Sequence, residues 1–459
     1  DQAIDSLAVL PFQNRSGNAD SEYLSDGLAE TLIYRLSQLP DLKVSPTSSV
    51  FRYKGTETDP LKVGTELGVQ AVMSGRLTQR GEQLTISVEL VDVRHNKTLW
   101  GEQYERKLSE LLAMQREIAA EITNKLQLKL SGEGAQKLSR KDTDNPEAYQ
   151  LYLLGRHYWN KRTEENLKKA IEQFKAAVDK DPKYALAYTG LADCYQLLPN
   201  YAPTKEFLLQ AKAYAERAIA IDDSLGEAHI SLAQVDRHLW NWAAAEKEFK
   251  RGLELNPNYA TGRHWRGNYL AIQGRFDEAL LDLKRAQQLE PLSLVINVNL
   301  AHLYLATGDA DAAVEQNKRA IDLDRDWYGA HQWLALIYMK QGRNEEALAE
   351  AEKAVELSKR QGESLGTLGY VLAQTGKRAE ALQIAEELKA RFTKQQANGI
   401  EIAMIYVGLK DKAETFAWLE KDFENRNERM PWRIALAPFN ALRDEARYKD
   451  LRKRMKLPE

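Results

Sequence analysis

A column of prolines and small residues recurs every 34 positions in the second half of this chain and fixes what it can fold into. Pro257 and Pro291, which close "LELNP" and "QLEP", stand 34 apart; the next positions in the frame are Asp223 before them and Arg325 and Lys359 after them. One amphipathic segment carries Ala233, Gly267, Ala301, Ala335, Gly369 and Ala403 in register, and the next carries Ala245, Ala279, Ala313, Ala347 and Ala381. A small residue is required where the two helices of a hairpin cross and their backbones approach closely. Proline stops the second helix because it lacks an amide N–H and its ring clashes with the preceding turn. Such hairpins cannot bury their apolar face alone, so they must stack on one another.

This is the tetratricopeptide pattern. Its first hairpin starts at Pro146 with about three extra residues in its inner turn. The second, Ala185 to Asp223, has seven extra around "LLPNYAP". Five regular repeats follow, then an eighth in which Thr415 replaces the second-helix alanine. The expected organisation is an α/β domain over 1–131, a linker over 132–145, about eight repeats over 146–427 forming an all-α right-handed superhelix, and capping helices over 428–459.

Composition bounds the function. The chain has 459 residues, 43% hydrophobic and 29% charged, with a formal net charge of −3. Neither half carries the basic excess that binding to a phosphate backbone requires, so nucleic acid is not an expected partner. The basic run Ala441 to Lys456 suits the solvated face and carboxyl-end dipole of a terminal helix. Charge interrupts every apolar stretch, so no membrane-inserted segment is expected. The amino terminus "DQAIDSLAVLPF" lacks the features of a secretory leader and does not start with Met, which reads as a fragment or processed form. The lone Cys194 lies in a helical pattern and reads as a small buried hydrophobe.

Before Asp142 the periodicity changes. "SLAVLPF" reads as a buried strand, and Ser21 to Leu39 as a helix with Leu28, Leu32, Ile33 and Leu36 on one face. "DLKVSPTSSVFRY" reads as a second extended segment, followed by a short helix that Asp59 caps and Pro60 begins. Three runs with period-two alternation, "AVMSGRLTQ", "QLTISVELVDV" and "TLWGEQYERKL", are joined by short polar turns and predict an antiparallel meander. A long amphipathic helix with Leu111, Ile118, Ile122 and Leu126 inward closes the unit.

The stretches "SLAVLPFQNRSGNADSEYLSDGLAETLIYRLSQLP", "VFRYKG", "VGTELGVQAVMSGRLTQRGEQLTISVELVDV" and "LWGEQYERKL" resemble the TolB amino-terminal-like domain that precedes tetratricopeptide repeats in bacterial regulators. With "NPEAYQLYLLGRHYWNKRT", the chain resembles the carboxyl-terminal sensory region of acidobacterial-type serine/threonine protein kinases and of related winged-helix or adenylate cyclase regulators. The resemblance implies an input or interaction module on the extracytoplasmic side of a membrane-anchored protein; a cytoplasmic placement is the alternative. The chain itself has no glycine-rich kinase loop, no "HRD" and no "DFG". Any kinase or cyclase domain is expected outside it, and no catalytic residue is assigned within it.

The candidate sites follow from the frame. Repeat positions that line the inner face of such a superhelix hold Gln234, Arg237, His264, Asn268, Asn299, His302 and Gln332. Neutral, long polar side chains with a single charge suit hydrogen bonding to an extended peptide. His229 and His331, at the fourth position of their repeats, read as structural. No histidine pair has metal-ligand spacing, so neither a metal nor a cofactor is expected. "RSGNADSEYLSDG" offers caps for the first helix at Ser21, Ser25 or Asp26 and a turn at Gly17. Arg52 and Lys54 in "VFRYKG" are the candidate anion-binding pair. The expected partner is a protein or peptide, with homodimerisation open. The alternatives are a stand-alone envelope assembly scaffold, or an enzyme or nucleotide site in the amino-terminal domain.

Overall fold

The computed structural model describes residues 4–458 apart from 19–20, 57, 129–131, 162, 199–204, 428 and 436–437. The chain separates into two compact units, Asp1–Arg263 and His264–Glu459.

The first unit opens with a six-stranded mixed sheet. Its elements run β1 (Ser6–Val9), β2 (Gln13–Asn14), α1 (Glu22–Ser37), β3 (Lys43–Val44), α2 (Thr47–Val50), α3 (Pro60–Leu67), β4 (Ala71–Arg80), β5 (Gln83–Asp92), β6 (Lys97–Lys107) and α4 (Leu111–Lys125). The strand order is β3-β1-β4-β5-β6, with β2 also pairing β4. β1 lies parallel to both neighbours and is buried along its whole length, as a central parallel strand must be. β4, β5 and β6 form the antiparallel meander, Ala71 opposite Asp92 and Gln83 opposite Lys107. Leu84, Ile86, Val88 and Leu90 alternate inward along β5. Asp59 caps α3 as expected, its Oδ1 accepting from the Leu61 N–H at 3.0 Å, with Pro60 first in the helix.

Two local expectations change. Residues 41–53 are extended only at β3, with the Ser45 N–H making the last bond to β1 at the Leu7 carbonyl; the Pro46 carbonyl then accepts from the Ser49 and Val50 amides to start α2, and the 3-10 turn Phe51–Tyr53 follows. At the start of α1 the Ser21 hydroxyl makes no cap and donates to Gln79 at 2.7 Å, while Ser25 and Asp26 lie buried inside the helix. Gly17 does take the left-handed turn, at φ +71°.

The segment expected to link the parts holds a helix, α5 (Gly132–Ser139), and then α6 (Pro146–Asn160) begins the repeats. Five more helices complete the unit before the seam: α7 (Glu164–Lys180), α8 (Ala185–Leu197), α9 (Lys205–Ile221), α10 (Gly226–His238) and α11 (Trp242–Leu255). The long inner turn expected around "LLPNYAP" falls largely on 199–204, outside the described residues. α1 is buried from Leu24 to Leu36 except Tyr34, more than a one-faced helix needs, because α6 covers its other side. Arg156 pairs with Glu30, Asn160 Nδ2 donates to Glu30 Oε2 at 3.0 Å, and a Cβ on Gly27 would meet Leu153 at 2.8 Å.

The remaining hairpins pair α12 (Ala260–Ile272), inside which the second unit begins, with α13 (Phe276–Leu289); α14 (Leu294–Thr307) with α15 (Ala310–Leu323); α16 (Tyr328–Lys340) with α17 (Asn344–Leu357); α18 (Gly362–Gln374) with α19 (Arg378–Phe392); and α20 (Gly399–Gly408) with α21 (Lys412–Glu424). Every alanine of the two sequence columns is fully buried, and Thr415, which replaces one, is 1% exposed. A third column appears at the inner turns. Gly274, Gly308, Gly342 and Gly376 all have positive φ, and in the same frame Trp240 and Lys410 hold it with side chains, at φ 62° and 59°. A left-handed residue bearing a Cβ costs about 1 kcal/mol, so this turn geometry is imposed by the hairpin and glycine merely suits it best. α22 (Met430–Ala435) and α23 (Ala446–Arg454) follow the last hairpin.

Candidate functional site

The first helices of the hairpins present the row of polar side chains read from the repeat frame, and the structure sorts it into three groups. In the first unit, Arg237 Nε donates to Gln234 Oε1 at 2.9 Å, and His238 Nε2 lies 3.1 Å from both Gln234 Nε2 and Arg237 Nη2. His238 was not among the residues the frame singled out; its place directly after Arg237 put it off the counted positions. In the second unit, Asn299 Nδ2 donates to His264 Nε2 at 2.7 Å and to Asn268 Oδ1 at 3.2 Å, and Asn268 Nδ2 donates to the same His264 nitrogen at 3.1 Å. That nitrogen accepts and so carries no proton. Asn268 and His264 remain partly exposed.

The third group is covered. His302 is 3% and Gln332 1% exposed. The His302 ring centre lies 3.4 Å from that of Trp333 and 6.0 Å from that of Trp432. Burial, and after it the nearby Arg433 charge, push the His302 imidazole well below its ordinary 6.5, so it is neutral. Arg433 itself lies 5.2 Å from the Trp333 ring centre and pairs with Glu363 at 2.7 Å; Arg429 pairs with Glu363 at 3.0 Å. Burial alone would raise the Glu363 carboxyl, but the two guanidiniums hold it at about 2. Glu363, Trp432 and Arg433 were missed by the sequence reading, which assigned the last segment to capping.

His229 and His331, three repeats apart, make the same contacts. Nδ1 faces Glu248 Oε2 or Glu350 Oε2 at 2.6 Å, and Nε2 faces the carbonyl of Asp223 or Arg325 at 3.0 or 2.9 Å. Each ring joins an inter-repeat turn to both helices of its hairpin. The Glu350 hydrogen bond raises the His331 pKa above 6.5, outweighing burial. A raised folded pKa means that the stabilisation is complete below 6.5 and is lost as pH rises through the folded value. The gap in thermal midpoint between wild type and His331→Gln is therefore expected to be larger at about pH 5.5 than at about pH 8.5. A gap that widens with rising pH would contradict the assignment.

Near the amino end, Lys54 Nζ pairs with Asp26 at 2.6 Å and Glu22 at 2.9 Å, and His157 Nδ1 lies 2.9 Å from the same Asp26 oxygen. Lys54 is thus already compensated by two carboxylates, and an anion there would have to displace them. Arg52 is exposed on the adjacent 3-10 turn. Among the described residues, no group of three His, Cys, Asp or Glu could hold a metal ion, and no helix is long and apolar enough to cross a membrane.

Tetratricopeptide-repeat family models match residues 230–293, 270–337 and 328–360. Residues 230–360 thus match tetratricopeptide repeats, and the helical hairpins on either side are repeats of the same kind in outline. Residues 2–121 match a different model, the HilA/YgeH-like transcriptional regulator, second domain. A Rhizobium meliloti (strain 1021) protein named "Putative adenylate cyclase 3" is 33% identical over 234 residues, 50% of this chain and 39% of that protein. The transcriptional regulator HilA of Salmonella typhimurium is 23% identical over 315 residues, 67% of this chain and 55% of the regulator. The chain thus spans only 39% and 55% of the lengths of these relatives. Similar solved structures include Pseudomonas aeruginosa PilF (23% identity, TM-score 0.39, covering 46% of this chain and 93% of that one) and the type IV pilus biogenesis factor PilW (21%, 0.40, 46% and 94%).

Proposed function

We propose that this chain is the non-catalytic, protein- or peptide-binding region of a bacterial signalling protein, with the ligand held on the first-helix face of its repeats. The observation that carries the reading is the ladder of His264, Asn268 and Asn299, which offers neutral donors and acceptors at one edge and no reacting group. Such a ladder matches the alternating N–H and C=O groups of a peptide backbone. The relatives support the signalling context: this region aligns with one protein named as an adenylate cyclase and with another named as a transcriptional regulator. Proteins with such different outputs have in common the part that receives or binds. The TolB-like, kinase-sensory resemblance points the same way.

The test is a peptide-display selection on the full chain, followed by titration of the selected peptide. Asn268→Ala is expected to weaken binding roughly tenfold, the loss of about one to two hydrogen bonds, with an unchanged thermal midpoint. Unaltered binding in that variant would remove the ladder from the site.

A further inference from the structure

The segment after the last hairpin has two separable jobs. Phe439, Leu442, Tyr448, Leu451 and Met455 are buried and close the apolar end of the stack. Residues 429–435 instead reach back to side chains on the first helices of three earlier repeats: His302 on α14, Trp333 on α16 and Glu363 on α18. Capping needs none of these contacts. Met430 and Ile434 are fully buried beside them, and the Tyr448 hydroxyl fixes the segment by donating to the Ile434 carbonyl at 2.7 Å.

The chemistry of this face is that of a site. Glu363 is a carboxylate whose ion pairs, Arg429 and Arg433, both come from the segment lying on it. Trp333 offers a ring under the Arg433 guanidinium, a geometry in which arginine is favoured over lysine. Both ring nitrogens of His302 are buried there with no hydrogen-bond partner. Buried polar groups left unmatched are costly, so the segment fills this face without satisfying it. A ligand bringing a polar partner for His302 would fit better.

We propose that the first-helix face of α14, α16 and α18 is a peptide site kept self-occupied by Trp432 and Arg433, and that its external ligand is a segment with an aromatic residue followed directly by arginine. This rests on the peptide-binding reading above and names the ligand class and its competitor. Seven residues separate Glu424 from Trp432. A tether that short presents the internal segment at an effective concentration in the millimolar range, so an external peptide of equal intrinsic affinity is largely excluded.

The experiment titrates a fluorescent peptide of sequence RMPWRIA, residues 429–435, and a scrambled control into three forms of the full chain: wild type, Trp432→Ala/Arg433→Ala, and that double variant with Glu363→Gln. The opened double variant is expected to bind the peptide at least roughly tenfold more tightly than wild type, and Glu363→Gln to reverse the gain. Equal affinity for wild type and opened chain, or no binding to an opened chain that keeps its thermal transition, overturns the proposal. Should the double variant lose that transition, Arg433→Ala alone carries the same comparison, since it keeps both tryptophans. Display-selected peptides that bind both forms equally and depend on Asn268 would overturn self-occupancy while leaving the ladder in place.

Discussion

Arg35→Met is expected to cost the first unit about 3 kcal/mol, because it takes the close partner from the largely covered Asp142 carboxylate and leaves it only Arg140, 3.7 Å away. Arg35 is 3% exposed, pairs with Asp142 at 2.6 Å, and also donates to the carbonyls of Arg140 at 2.8 Å and Leu138 at 3.4 Å. A second tie runs beside it, with Arg140 paired to Asp222 and donating to Ser224 Oγ at 2.7 Å. Together they lash α1 and the stretch after α5 to the turn before α10. Chemical denaturation of the full chain measures the loss. The control is Arg35→Met with Asp142→Leu, which removes both charges and is expected to recover most of the stability, since the penalty belongs to the under-compensated carboxylate and not to the missing pair. A single variant as stable as wild type would show that Asp142 is solvated.

Phe174→Ala is expected to cost about 3–5 kcal/mol in the same unit, again read by denaturation. The Phe174 ring is fully buried on α7, and it fits because two glycines flank it: a Cβ on Gly155 of α6 or on Gly190 of α8 would come within 2.6 Å of the ring. Tyr152 packs at 5.8 Å between ring centres. Helix backbones on two sides cannot collapse into the vacated space, so the cavity persists. Gly190→Val is expected to be destabilising as well, by overpacking against the same ring. If Phe174→Ala cost less than about 1 kcal/mol, the hairpin would have to be repacking around it.

What the sequence revealed and what it concealed follow from the range of the interactions. The alanine columns were readable because helix crossing is a local, repeated demand, and the same residues are buried in every regular repeat. The meander and the Asp59 cap were readable for the same reason: their periodicity and spacing are intrinsic to short stretches. The burial of α1 on both sides was not, since Gly27, Glu30 and Asp26 look like an ordinary polar face until α6, more than 100 residues later, is laid against it. The inner-row residues illustrate both cases. His264, Asn268 and Asn299 come together because consecutive repeats place equivalent positions side by side. His302 occupies an equally regular position yet lies against Trp432, because Trp432 and Arg433 belong to no repeat and their destination leaves no periodic trace. The one local hint was a Trp-Arg pair in a segment that needed neither residue to cap a helix stack.

The double-sided burial of α1 sets the size of the piece that can be inherited or engineered whole. A gene fusion carrying only the sheet and its helices would leave Gly27 and Thr31 open to water and would deprive Glu30 of Arg156 and Asp26 of His157. The transferable cassette therefore runs through the first repeats, and recombination at the visible change of pattern near residue 131 would deliver a broken part.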